Sequence, residues 1–196
     1  MIGICVVAGG VASMIRSELG VAPYDVVTTG MHERFGMPLG LAAVLLPIVF
    51  LLGGLALGGR VGFGTMLDVA FVGPLLGLFV AWIPQIEAMV PRLALYAVGF
   101  VLITVGIVLV ILPDLGAGPA EVLMLAVADR GYPLAPVRTG IELVCVAVGF
   151  AMGGQVGVGT LVFALLIGPA LRRTLTWAGY DATLAATRSD AATPGV

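Results

Sequence analysis

The sequence predicts an all-α fold, a polytopic transmembrane helical bundle, on the strength of its composition, its apolar patterning and its internal repetition. Of 196 residues, 60% are hydrophobic and 10% charged, and mean hydropathy is +1.17. A soluble domain carries about 25% charged residues, because its surface must be solvated. The apolar residues gather in long runs with no period-two alternation, which excludes a barrel. Open strands cannot satisfy their backbone in lipid, so helices remain. A net charge of -2 without a basic run excludes nucleic acid as a partner, and the bilayer is the partner this composition expects.

Taken in order, the apolar segments are Ile2 to Ile15, Leu39 to Leu57, Phe63 to Ile83, Leu93 to Leu112, Val137 to Met152 and Leu161 to Leu171. The first is short of the ~20 residues a spanning helix needs and lacks the basic start of a signal peptide, so a shortened first span is expected. Two shorter, mixed segments lie between the runs, Tyr24 to Arg34 and Ala120 to Arg130. Cys5 and Cys145 sit inside apolar stretches without CxxC or Cys/His grouping, and read as packing residues. His32, the single histidine, has no second ligand nearby, so no metal and no cofactor is expected.

Repetition organises the whole. Leu19-Gly20-Val21-Ala22-Pro23-Tyr24-Asp25-Val26 recurs 96 positions later as Leu115-Gly116-Ala117-Gly118-Pro119-Ala120-Glu121-Val122. Gly62-Phe63-Gly64-Thr65 recurs 95 positions later as Gly157-Val158-Gly159-Thr160, and Gly73-Pro74 as Gly168-Pro169. Gly54 and Gly58 map likewise onto Gly149 and Gly153. The expectation is a single membrane domain over 1–175, built from repeats at about 1–83 and 93–175, with a polar, disordered tail over 176–196. Internal duplication of this kind is frequent in transporters.

Each Leu-Gly-x-x-Pro-x-acid unit reads as helix, break, helix. Gly20 and Gly116 can close a helix in the left-handed conformation. Pro23 and Pro119 suit the first turn of the next, where Asp25 and Glu121 are favoured by the helix dipole. Capping alone would account for such a unit; a broken helix at membrane depth would also make half of a binding site. Gly64 and Gly159 mark turns entering the next helix, with Thr65 and Thr160 as caps. Pro74 and Pro169 are expected to interrupt those helices. The GxxxG pairs should let helices approach closely.

Few ionisable residues fall inside the spans. Asp68 lies one turn into its helix, opposite Phe163 in the repeat register. Arg138 and Glu142 share one helical face and should point into the bundle, as a structural salt bridge or a cavity lining. Arg16, Arg60, His32 and Arg34 are expected to snorkel to headgroups. If the short acidic segments are re-entrant, each repeat has three spans and the copies are inverted; if they cross, each has four and the copies are parallel. The distribution of arginines leans towards four spans and a cytoplasmic carboxyl terminus.

Met14-Ile15-Arg16, Leu19-Gly20, Pro23-Tyr24-Asp25-Val26, Gly62-Phe63-Gly64-Thr65 and Gly73-Pro74 resemble the YczE/YitT-like family of bacterial integral membrane proteins, in its YczE branch. In the second half Leu115 to Pro119, Val137-Arg138-Thr139 with Glu142, and Val156 to Pro169 carry the likeness, which extends from Met14 to Leu171. Glu121 departs from the Asp expected there but keeps the charge, and the first helix is shorter than the family's. The resemblance implies a bacterial cell-membrane protein more than an activity. A small-molecule transporter is expected, its site lined by Asp25, Glu121, Asp68, Arg138 and Glu142. The alternative is an accessory protein serving a membrane partner. No HExxH or nucleophile–base pair suggests an enzyme.

Overall fold

The computed structural model describes residues 1–59, 61–111, 118–132 and 134–178. Among them the chain is helical throughout and no strand occurs. The helices are α1 (Ile2–Ser17), α2 (Pro23–Phe35), α3 (Leu39–Ala56), α4 (Phe63–Trp82), α5 (Met89–Ile111), α6 (Pro119–Ala128), α7 (Leu134–Ala151) and α8 (Val158–Trp177). Three are long and apolar enough to cross a membrane: α3, α4 and α5 over Met89–Val110. Large apolar side chains such as Val49, Val144, Leu161 and Leu165 stand exposed on the outside, as lipid-facing helices require.

Contacts fix the direction of each helix. Gly3 packs on Gly106 and Gly10 on Gly99, so α1 and α5 run antiparallel along a glycine seam. A Cβ added at Gly10 would lie 2.8 Å from the Gly99 carbonyl oxygen, so only glycine allows this approach. At one end of the bundle, the Arg16 guanidinium donates to the Val80 carbonyl through Nε at 3.0 Å and Nη2 at 2.6 Å. That bond sets the ends of α1 and α4 side by side. Gly40, at the start of α3, packs near Gly77, close to the same end of α4. The start of α5 is there too, since Arg92 donates to the Ser17 carbonyl at 2.6 Å and pairs with Glu18 at 3.0 Å.

It follows that α2 leaves one end of the bundle and returns to it. Its 13 residues extend only about 20 Å, too short to cross. That return argues against the four crossings before α5 towards which the arginine distribution leans. Arg16 and Arg92 are turned onto carbonyls instead of reaching headgroups. At the far end, Arg130 donates to the carbonyl of Leu57 at 2.6 Å, so α6 finishes beside the end of α3. With α5 also ending there, the 10-residue α6 likewise fails to cross. Trp82 and Trp177, both exposed, close α4 and α8 at opposite ends of the bundle, where indoles favour the membrane interface.

Several local expectations need correction. Ser17 ends α1, and Glu18 takes the left-handed conformation (φ 53°). Gly20 instead sits against the start of α8, where an added Cβ would lie 2.7 Å from the Thr160 nitrogen. Pro74 and Pro169 do not interrupt their helices: α4 and α8 run on through them, losing only the hydrogen bonds a proline cannot donate. Gly54 and Gly149 do serve close packing, but Gly58 and Gly153 adopt φ of +79° and +86° and terminate α3 and α7. There Gly59 donates to Gly54 and Gly154 to Gly149, both at 2.8 Å, closing Schellman-type turns. Gly116 and Arg60 lie outside the described residues, as does the tail beyond 178. α8 is described as far as Trp177.

The capping threonines act from the third helical position. Thr65 Oγ1 accepts from the Gly62 N–H and Thr160 Oγ1 from the Gly157 N–H, each at 3.3 Å. Gly64 lies in the first turn of α4. Gly159 holds α8 in place: its N–H donates to Leu19 at 2.8 Å, and its carbonyl accepts from the buried Tyr96 hydroxyl at 2.5 Å. Tyr96→Phe should cost about 1 kcal/mol by removing that hydrogen bond, read as a lower Tm of the detergent-purified protein.

Candidate functional site

Pro23 and Pro119 open α2 and α6 at their first turns, and Asp25 and Glu121 occupy those turns. The two amino-terminal ends come in from opposite ends of the bundle. Tyr24 and Ala120, one residue before each carboxylate, pack against the same small cluster of Val27, Phe50 and Cys145. The Tyr24 ring meets Phe50 edge-on, with centroids 5.5 Å apart. Cys145 is thus a packing residue.

Polar groups gather at this meeting point. On α7, Arg138 Nε donates to Glu142 Oε1 at 3.0 Å, and both side chains are partly buried. The Glu121 carboxylate folds back over Gly118, the residue that caps α6. Tyr24 lies within electrostatic reach of Glu142, Glu121 and Arg138, and Asp68 on α4 within reach of Glu121. Four of the five residues read from the sequence therefore share one neighbourhood: Glu121, Asp68, Arg138 and Glu142. Glu142 and Glu121 act on the Arg138 guanidinium there, and Asp68 joins through Glu121.

Asp25 does not join them. Among the described residues no charged group acts on its carboxylate. The next residue back, Tyr24, is the one α2 turns towards the cluster, because successive helical residues point about 100° apart. Tyr24 escaped the sequence reading. The signal that could have found it was the aromatic hydroxyl standing where the recurring motif has Ala120. No group of His, Cys, Asp or Glu side chains with metal-ligand grouping occurs among the described residues.

The family model described as "Family of unknown function (DUF6198)" matches residues 1–175. The chain is 28% identical over 177 residues to the uncharacterized membrane protein YczE of Bacillus subtilis, covering 88% of this chain and 82% of that one. It is 29% identical over 160 residues to an uncharacterized protein of Haemophilus influenzae, covering 81% and 73%. With the uncharacterized protein YyaS of Bacillus subtilis it shares 26% over 175 residues, 87% of each chain. These findings bear out the YczE-like resemblance. No solved structure matches.

Proposed function

The chain belongs to the DUF6198 family, whose function is unknown, and we propose that it is a small-molecule transporter of the cell membrane. The carrying observation is the convergence of two non-crossing helices, α2 and α6, on one cluster formed by Tyr24, Asp68, Glu121, Arg138 and Glu142. Helix ends that stop inside a bundle offer unpaired N–H groups to a ligand, and charged side chains kept within spans mark pathways more often than packing. The substrate would sit between the two amino-terminal ends, exposed to one side and then the other as one half rocks on the α1/α5 seam.

Duplication supports this reading. We take the chain as two inverted copies, α1–α4 and α5–α8. The 95-residue offset, the antiparallel α1 and α5, and the paired Schellman turns all favour it. Because Arg130 and Arg173 stand at one end of the bundle, we place that end and the carboxyl terminus in the cytoplasm.

Thermal stabilisation of the detergent-purified full chain across a metabolite panel tests the site. A stabilising compound should lose its effect in Glu121→Gln, by roughly tenfold or more in apparent affinity, and keep it in Asp25→Asn. The alternative is an accessory protein. It gains if no compound stabilises the wild type while a membrane partner co-purifies equally with the wild type and Glu121→Gln.

A further inference from the structure

A cavity of about 150 Å³ opens at the end of the bundle where α1, α2 and α4 finish, lined by Arg16, Glu18, Thr29, His32, Glu33 and Gln155 among others. It lies at the far end of α2 from Tyr24. A water needs ~10–15 Å³ of such space, so the cavity has room for a small organic molecule.

Several of its donors are committed. Arg16 gives Nε and Nη2 to the Val80 carbonyl. The Thr29 hydroxyl bonds to the carbonyls of Asp25 and Val26 at 2.9 and 3.1 Å while accepting the Gln155 N–H at 3.0 Å. His32 Nδ1 meets the Met37 carbonyl at 2.7 Å, which leaves Nε2 of the neutral ring as an acceptor. Glu18 is matched by Arg92. Acceptor capacity is left over. Glu33 makes no ion pair among the described residues. Gln155 Oε1 is buried with no hydrogen-bond partner among them. A buried acceptor without a donor is rare in folded proteins and calls for a missing partner.

We propose that this cavity binds a small primary ammonium compound, whose N–H groups bridge Gln155 Oε1 and the Glu33 carboxylate. The ammonium charge is met by Glu33, the lining carboxylate with no ion pair among the described residues. The ammonium can come from a free amine or from an ethanolamine lipid headgroup. This binding is independent of the central cluster and of whether anything is transported.

Two arms separate the sources. In the first, the full chain in maltoside detergent is titrated with ethanolamine and its Tm followed; in the second, the chain is placed in phosphatidylcholine nanodiscs with and without phosphatidylethanolamine. Stabilisation by about 3 °C in either arm, absent with tetramethylammonium, is expected, and which arm responds identifies the source. Glu33→Gln and Gln155→Met should each weaken the response roughly tenfold. Glu33 is exposed on its helix and Gln155 lies in a connection, so neither change threatens the fold. The proposal is overturned if neither arm responds, if tetramethylammonium works as well, if phosphate or acetate stabilises instead, or if both variants respond like the wild type.

Discussion

Gly149→Val is expected to abolish folding of the bundle, giving no monodisperse peak in detergent by fluorescence-detected gel filtration. A Cβ at position 149 would lie 2.5 Å from both the carbonyl carbon and oxygen of Val26, and 2.6 Å from the Val27 nitrogen. These are backbone atoms of α2, which no side-chain rotation can move aside. The two helices would have to separate by about an ångström or more, and overpacking of this kind costs about 3 kcal/mol upwards when neither side can yield. Set against a total stability of roughly 5–15 kcal/mol, that is decisive. Its internal control is Gly140→Val on the same helix. Nothing lies within 4 Å of a Cβ there, so this variant should run like the wild type. Folding of Gly149→Val at wild-type yield would mean that α2 does not lie on α7.

The second large effect is one of sidedness. Cysteines introduced singly at Arg34 and Asp129, in a background where Cys5 and Cys145 are replaced by alanine, should label from opposite sides of the membrane. A membrane-impermeant maleimide on intact cells would then mark one and not the other. The reasoning is a parity count. Between these positions the chain crosses through α3, α4 and α5, an odd number, because α6 turns back without crossing. If α6 crossed, the count would be four and both cysteines would label alike. Both native residues are exposed and lie past the ends of α2 and α6 or in their final turns, so the cysteines disturb little. Labelling of both from one side would remove the inverted arrangement and, with it, the meeting of α2 and α6.

Membrane residence, the all-helical fold and the positions of most helix ends were legible in the sequence, because each depends on local composition or on proline and glycine. Pro23 and Pro119 open helices wherever they occur, and Phe63–Trp82 reads as a span without knowledge of its neighbours. The number of crossings was not legible in the same way. It depends on whether Arg16 reaches a headgroup or the Val80 carbonyl, and that carbonyl is 64 residues away. The site shows the same limit. Asp25 and Glu121 look alike in sequence, each third in a helix begun by proline. What separates them is the helix opposite: Glu121 has Asp68 within reach, and the residue at Asp68's register in the other half is Phe163. A local motif specifies a carboxylate at a helix start and is silent about its company. Gln155 was overlooked for a related reason, since a glutamine in a glycine-rich connection looks solvated until the chain around Thr29 closes over it.

The docking of α2 on α7 also sets a timetable for making the protein. Val26 meets Gly149, and 123 residues separate them. A ribosome adding about 5–20 residues per second needs roughly 6–25 s to bring the second to the first. Throughout that interval α2 has emerged with α3 beside it, while its other partner helix, α7, does not exist. A segment this short cannot lodge across the bilayer alone, so it must wait at the surface while α3, α4 and α5 insert. Its entry into the bundle is then one of the last steps of assembly, driven by the arrival of α7 rather than by the insertion machinery.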